Sequence, residues 1–466
     1  MDGFELDLVV TLGLGDNSYV LSSGGEAILV DPQRDAERLL GAAEDRRAEV
    51  RYVLETHVHN DYVSGAAEVR ASTGAAVVGP AAARYRFPYA PMAEDDELRI
   101  GAVTLVAMET PGHTPEHLAY ALIPDGRDGP VAVFTGGSLI VGSAGRTDLL
   151  GPEWTDRLTR AQFRTLRRLG SLPGSAQVLP THGAGSFCAT AAPQEDRTST
   201  IERELASNPV LAEPDEEAFV RRQLSGLMAF PTYYANMAPI NRAGPSVSGG
   251  VPITEPISPQ AVAGHAAEGA WIVDVRDGSD FAAAHIPGSL NIPLEESFAS
   301  YVGWLLPFDD PLVLVAPEPP GEAVHEATRQ LFRIGYERVL GSLRGGIEAW
   351  RRSGRELRAY PVATLDQLLA LAGREVSRIL DVRQAPEWEA GHLDGSRHVF
   401  VGDLPERLDG FEHDREVVVA CASGYRSSMA ASLLDRAGVP VRVVARRGVP
   451  DALRRRAGLR SLQDSP

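Results

Sequence analysis

Two stretches of the chain repeat each other, and that repeat limits the architecture more than any other feature. "WIVDVRDGSDFAAAHIPGSLNIP" starts at Trp271 and "RILDVRQAPEWEAGHLDGSRHV" at Arg378. Their D-V-R elements begin at Asp274 and Asp381, 107 residues apart. A period that long is the size of a small domain, not of a solenoid unit. In each copy a β-branched run leads into D-V-R, an acidic or aromatic stretch follows, and H-[IL]-x-G-S closes the pattern. Such short apolar runs bounded by turn residues read as buried strands. Asp274, Arg276, Asp381 and Arg383 are suited to fixing loops through charge-assisted hydrogen bonds. His285 and His392 read as histidines that satisfy backbone groups in a turn.

The copies diverge after their next strand. The second has "EVVVACASGYRSSMAASLL" where the first has "PLVLVAPEPPGEAVHEATRQLF". In the second, a buried strand delivers Cys421 into a tight loop, and a helix is expected to start near Ser427. Backbone N–H groups and the positive end of a helix lower a thiol pKa and hold an anion on sulfur. Arg426 adds a positive charge, and Gly424 lets the backbone close round the sulfur. The repeat and the C-x-x-G-x-R-S loop resemble the rhodanese family, small α/β domains built around a parallel sheet. That resemblance implies ping-pong transfer of sulfane sulfur with Cys421 as nucleophile and Arg426 assisting. It places Ser423, Gly424, Tyr425 and Ser427 around the substrate. The first copy has Pro317 or Glu318 where the cysteine belongs, so it is expected to serve as a structural or docking domain, held by the packing of "LRGGIEAW".

A different chemistry is written ahead of the repeats. "THVHNDYVSG", residues 56–65, follows the strand-like "RYVLE". His57 and His59 stand two apart after a strand and therefore point the same way, and Asp61 joins them as the chain turns. Imidazole and carboxylate are the ligands that zinc and iron take. "TPGHTPEH" offers His113 and His117 after "AVTLVAME", and "LPTHGAGSFC" offers His182 after "AQVLP". Together these resemble the metallo-β-lactamase superfamily over about residues 4–245. Tyr62, "TPGHTPEH" and "GRTDLL" at 145–150 make the nearest resemblance that to the persulfide dioxygenases. That family holds one Fe(II) with two histidines and an aspartate, leaving room for substrate and oxygen. Carried over by motif, His57 and His113 are the imidazole ligands; His59, Asp61 and His182 complete the candidate metal set. Zinc is the alternative ion. The aspartate of a T-G-D turn is missing, because this chain reads Thr135, Gly136, Gly137.

A two-histidine site leaves a divalent ion uncompensated in a partly buried place. Asp61, hydroxide, a bound anion or a persulfide substrate are the candidates to complete it. Three functions therefore stay open. One is iron-dependent oxidation of a small-thiol persulfide with oxygen to sulfite, coupled to sulfur exchange among thiols, sulfite and thiosulfate. Another is metal-dependent hydrolysis. The third is a sulfurtransferase whose N-terminal domain is a scaffold.

The chain has 466 residues, which suggests about three domains. The expected fold is an αβ/βα sandwich over 1–245, followed by rhodanese-like α/β domains over 252–357 and 360–462, the latter carrying the active cysteine. "DAERLLGAAEDRR" and "TDRLTRAQFRTLRRLGSLP" read as helices, as does the polar stretch over 198–226. "FPTYYANMAPINRAGP" resembles the segment that closes the active-site mouth in fused persulfide dioxygenases, which makes Tyr233 a substrate-side residue. "GPSVSGGVPITEPIS" reads as a linker. A net charge of −18 disfavours nucleic acid and anionic membranes as partners. All 45 basic residues are arginine, so no lysine can act as base or Schiff base. No apolar run is long enough for a membrane span, and the acidic N-terminus lacks the pattern of a secretory signal, which reads as cytoplasmic. Two cysteines, Cys188 and Cys421, do not make a disulfide framework, and Cys188 reads as a small buried residue rather than a nucleophile. Oligomeric state is left open.

Overall fold

The computed structural model describes residues 3–189, 196–225, 227–372 and 378–463, in two compact units: 1–252 with 329–335, and 253–328 with 336–466. Gly226, at the end of the helical stretch expected over 198–226, lies outside the described residues. No helix among those described is long and apolar enough to cross a membrane.

In the first unit two six-stranded sheets pack face to face. One runs in the order Glu5–Thr11, Asp16–Ser23, Glu26–Val30, Glu49–Leu54, Ala76–Pro80, Ala90–Met92. The other runs Ser199–Thr200, Gln177–Pro180, Ala132–Gly136, Leu118–Pro124, Val103–Glu109, Glu97–Ile100. Period-two alternation decides which side chains meet. Tyr19 and Leu21 turn inward to join Ile28, Val30, Leu54, Leu105, Tyr120 and Phe134 between the sheets. Val20, with Ala27, Leu29 and Val53, turns outward against the helices Glu37–Asp45 and Ala66–Thr73. Leu166 and Leu169 of the helix Pro152–Gly170 cover the other sheet. Burying each such side chain contributes roughly 1.5–3 kcal/mol. That helix begins at Pro152 rather than 155; proline suits a first turn, where its missing N–H has no partner to lose.

The sandwich gathers the ligand-type residues at one rim. Strands Val103–Glu109, Ala132–Gly136 and Gln177–Pro180 run in the same direction. The loops leaving them carry His113 and His117, Gly137, and His182. The loop after Glu49–Leu54 brings His57, His59 and Asp61.

The second unit holds two all-parallel sheets. One is Pro256–Ile257, Val339–Leu343, Leu312–Val315, Trp271–Asp274, Leu290–Asn291; the other is Arg397–His398, Ile379–Asp381, Val417–Ala420, Val441–Val443. The segment expected as linker ends inside the first of these, since Pro256–Ile257 adds an edge strand beside Ser342 and Leu343. Asp274 pairs with Val315, and Asp381 pairs with Ala420. The residue after each strand end is therefore equivalent, and Ala316, not Pro317 or Glu318, stands in the place of Cys421. Sequence alone misplaced it because the two loops share no residue pattern, whereas the ladder fixes register. The helix after the Cys421 loop spans Tyr425–Arg436, starting two residues before Ser427.

Candidate metal centre and cysteine loop

Four buried histidines share one design. Each has one ring nitrogen held by the protein. His57 Nδ1 lies 2.8 Å from Thr56 Oγ1, whose hydroxyl is also 2.8 Å from Asp31. His59 Nε2 lies 2.9 Å from Glu55 and 3.3 Å from Asp31. His113 Nδ1 lies 2.8 Å from the Arg146 carbonyl, and His182 Nδ1 lies 2.8 Å from Asp16. The second nitrogens are differently placed. His57 Nε2 and His182 Nε2 face each other at 3.4 Å, while His59 Nδ1 and His113 Nε2 have no hydrogen-bond partner. Buried lone pairs without donors are rare unless a ligand serves them. Two imidazoles bound at about 2.0–2.1 Å to a tetrahedral ion would stand roughly 3.4 Å apart. Carboxylates behind the rings complete the histidine–carboxylate support that metal ligands use. The donor set fits a divalent metal ion: ligand atoms of His57, His59 and His182 lie within 4.8 Å of one another, and those of His113, His182 and Cys188 form a second such group.

Charge in the pocket follows from burial. Desolvation first, then the neighbouring rings, holds His57 and His113 well below the usual histidine range, so both are neutral and ligand-ready. Burial alone would also lower His59, but Asp31 and Glu55 lift it well above that range. Burial pushes Asp16 up to about 8, and burial with the adjacent Asp16 pushes Asp61 up to about 7. Asp61 lies 3.3 Å from His182 Nδ1. A cation in the pocket would reverse this crowding of carboxylates.

Gly137 occupies the place of the missing aspartate, and the pocket shows it. A Cβ built there would fall 2.2 Å from His113 Cδ2 and 2.8 Å from its Nε2. A side chain at 137 thus projects straight at the pocket, and the His113 ring fills that volume instead. His117 is not a free ligand. Its Nδ1 lies 2.8 Å from Thr110 Oγ1, and its Nε2 accepts the Gly137 N–H at 2.9 Å. Tyr62 is fully buried, with its hydroxyl 3.1 Å from His59 Nε2 and 3.2 Å from the Asp31 carbonyl. Tyr233 is also buried and donates its hydroxyl to the Asp61 carbonyl at 2.8 Å. It braces the histidine loop, where the sequence placed it on the substrate side.

Several working residues carried no usable signal. Asp16, Asp31 and Glu55 end or flank strands and look like ordinary turn residues. Arg146 sits in the flagged "GRTDLL", but its role needs the fold. Its guanidinium grips Asp148 through two 2.7 Å bonds and reaches the carbonyls of Phe187 and Met228. Cys188 is completely buried within the same pocket, and burial pushes its thiol up.

In the second unit Cys421 Sγ accepts the Gly424 N–H at 3.1 Å and lies 3.2 Å from the Ser427 hydroxyl, which is shared with the Val444 carbonyl at 2.9 Å and the Gly424 carbonyl at 3.1 Å. Gly424 has φ +111°, and a Cβ there would meet the Ala445 carbonyl oxygen at 2.0 Å, so only glycine closes this loop. Arg426 lies in the first turn of the helix that follows, and both of its terminal nitrogens bind Glu387 rather than the sulfur. Ser423 lies in the loop and Tyr425 and Ser427 in the first turn of the helix, where the Tyr425 ring stands edge-on to Tyr301 at 5.4 Å. Tyr301 belongs to the first copy, on the helix Phe298–Leu305. The first copy also receives the active-loop helix through Ser432, whose hydroxyl accepts the Asn291 N–H at 3.0 Å. The paired D-V-R motifs build matching clamps: Arg276 on Asp274 and Arg383 on Asp381. His285 and His392 bind the carbonyls of Phe281 and Trp388.

Comparison with known proteins agrees with this division. Residues 12–188 match the metallo-beta-lactamase superfamily, and residues 258–353 and 364–446 match the rhodanese-like domain. The chain thus carries a metallo-β-lactamase-fold domain followed by rhodanese-like domains. A crystal structure of a metallo-beta-lactamase from Staphylococcus aureus subsp. aureus COL is similar with a TM-score of 0.67 at 26% identity, over 73% of this chain and 99% of that one. A hydroxyacylglutathione hydrolase from Cereibacter sphaeroides (strain ATCC 17023) is 35% identical over 182 residues, 38% of this chain and 66% of that protein. The chain therefore spans just under two thirds of that relative. A hydroxyacylglutathione hydrolase from Methylococcus capsulatus is 29% identical over 228 residues, 44% of this chain and 84% of that protein.

Proposed function

We propose that the chain acts on sulfane sulfur at two sites. Cys421 exchanges it between donor and acceptor, and the histidine pocket, holding one Fe(II), oxidises a low-molecular-weight thiol persulfide to sulfite. The observation that carries this reading is the cradle around Cys421 Sγ, two donors at the start of a helix aimed at one sulfur. Such donors stabilise a thiolate and the terminal sulfur of its persulfide.

In the transfer step the Cys421 thiolate attacks the outer sulfur of a thiosulfate or persulfide. The donor's sulfur–sulfur bond breaks, and the donor leaves as sulfite or thiolate. A thiol or sulfite acceptor then takes the outer sulfur from the Cys421 persulfide and restores the thiolate. In the pocket, one persulfide, one O2 and one water balance to one thiol, one sulfite and two protons. Bound iron would supply the oxygen chemistry. His57 and His113 would hold it, with His59, Asp61 and His182 as further candidate ligands. Glu55 and Asp31 fix the His59 ring so that Nδ1 stays available. Tyr62 stands where zinc hydrolases carry a further histidine, which supports a single ion. Sharing one chain raises the effective concentration of the sulfur intermediate.

A second reading, metal-dependent thioester hydrolysis, is favoured by the hydrolase relatives and by Asp61, whose carboxylate beside His182 could orient a water. The test is oxygen uptake by iron-reconstituted protein given a small-thiol persulfide, with thioester hydrolysis assayed on the same sample. Uptake with sulfite formed is expected. Thioester cleavage without uptake selects the second reading. Neither activity, with sulfur transfer intact, makes the first domain a scaffold.

A further inference from the structure

We propose that Cys188 supplies the anionic metal ligand that position 137 no longer provides. The proposal rests on the pocket being a metal site and adds one residue to it. Imidazoles alone leave a divalent ion's charge unbalanced in a buried place. The candidate nearest to repairing this at His113 is a thiol. Ligand atoms of Cys188, His113 and His182 lie within 4.8 Å of one another, and all three side chains are buried. His113, a member of that group, has a buried Nε2 with no hydrogen-bond partner.

One residue sets the spacing of sulfur and imidazole. The Arg146 N–H donates to the Cys188 carbonyl at 2.7 Å, while the Arg146 carbonyl receives His113 Nδ1 at 2.8 Å. The Arg146 side chain is itself locked by Asp148 and two backbone carbonyls. Both potential ligands are therefore tied to a single fixed residue. A cysteine that merely fills a core sits among apolar groups. Cys188 instead sits beside two imidazoles and the Asp61 carboxylate. Binding breaks the Cys188 S–H bond as the metal–sulfur bond forms, and the proton leaves to water; nothing is oxidised or reduced. The set becomes one thiolate with imidazoles, a combination that zinc and iron both accept.

The test titrates metal-free protein with Co(II) alone, without substrate. An intense near-ultraviolet sulfur-to-cobalt charge-transfer band is expected. Cys188→Ser should lose the band and weaken cobalt binding by at least about tenfold, while unchanged far-ultraviolet circular dichroism and thermal unfolding of the metal-free variant report that its first unit is folded. Cys421→Ser should keep the band. X-ray absorption on zinc-loaded Cys421→Ser, which leaves Cys188 as the sole thiol, should find one sulfur at about 2.3 Å. Cobalt bound without the band, or a band that survives Cys188→Ser, overturns the proposal. Failure to take up cobalt overturns the pocket reading along with it. A band without persulfide oxidation in the iron form overturns only the oxidation reading and leaves Cys188 as ligand.

Discussion

The two rhodanese-like copies share a frame and differ in one loop. Both build a parallel sheet, both clamp an arginine onto the aspartate two residues earlier, and both turn a histidine onto a nearby carbonyl. After the strand ending at Ala420 the chain enters Cys421, closes through Gly424 and starts a helix whose first turn aims donors at the sulfur. After the strand ending at Val315 it enters Ala316 and passes three prolines, Pro317, Pro319 and Pro320, before its helix. Frame and chemistry are thus separable. The clamps keep the fold, and a few residues decide whether a sulfur anion has a home.

The largest effect expected on this contrast is that of Cys421→Ser, which should lower sulfur transfer from thiosulfate to a small thiol by at least about a thousandfold. Any oxygen uptake by the first unit should be unchanged. Adding Ala316→Cys to that variant should restore nothing measurable, because the first copy lacks the glycine and serine around the sulfur. Recovery of transfer would show that strand register alone suffices. Ser427→Ala removes one donor to an anionic sulfur and should slow transfer about ten- to a hundredfold. Gly424→Ala should destabilise the loop by about 1–3 kcal/mol, read by thermal unfolding, since φ is positive and the Ala445 oxygen blocks a Cβ.

The smallest effect concerns the Glu387–Arg426 pair, a device peculiar to the second copy. Burial alone would raise the Glu387 carboxyl, but Arg426 holds it below the usual carboxylate range. A carboxyl whose folded pKa is depressed adds stability above its unfolded pKa, and loses it as pH falls through the folded one. Wild type should therefore unfold at a higher temperature than Glu387→Gln at neutral pH, by under about 1 kcal/mol for so open a pair. The gap should narrow as pH falls below 4.5, the ordinary glutamate value. A gap that widened in acid would show that the pair does not hold the loop.

Much of this molecule was legible as pattern. The apolar run before D-V-R in each copy announces a buried strand, and the 107-residue repeat announces two like domains. The H-x-H-x-D triplet after a strand and the C-x-x-G-x-R-S loop announce where chemistry sits. These signals are local, because strand pleat, turn conformation and helix start depend on neighbouring residues alone. The sequence by itself thus determined the elements, the repeat and the identity of most candidate ligands.

Tertiary structure decided the rest. That Asp16 supports His182 across 166 positions, or that Arg146 fixes both Cys188 and His113, is invisible until sheets bring distant loops to one rim. Ala316 could be matched to Cys421 only by ladder register. Arg426 looked aimed at sulfur until Glu387, 39 residues away, was found to hold it. The reason is physical. Hydrogen bonds and charge act over a few ångströms of space, and the chain carries no local record of which remote carboxylate will arrive there.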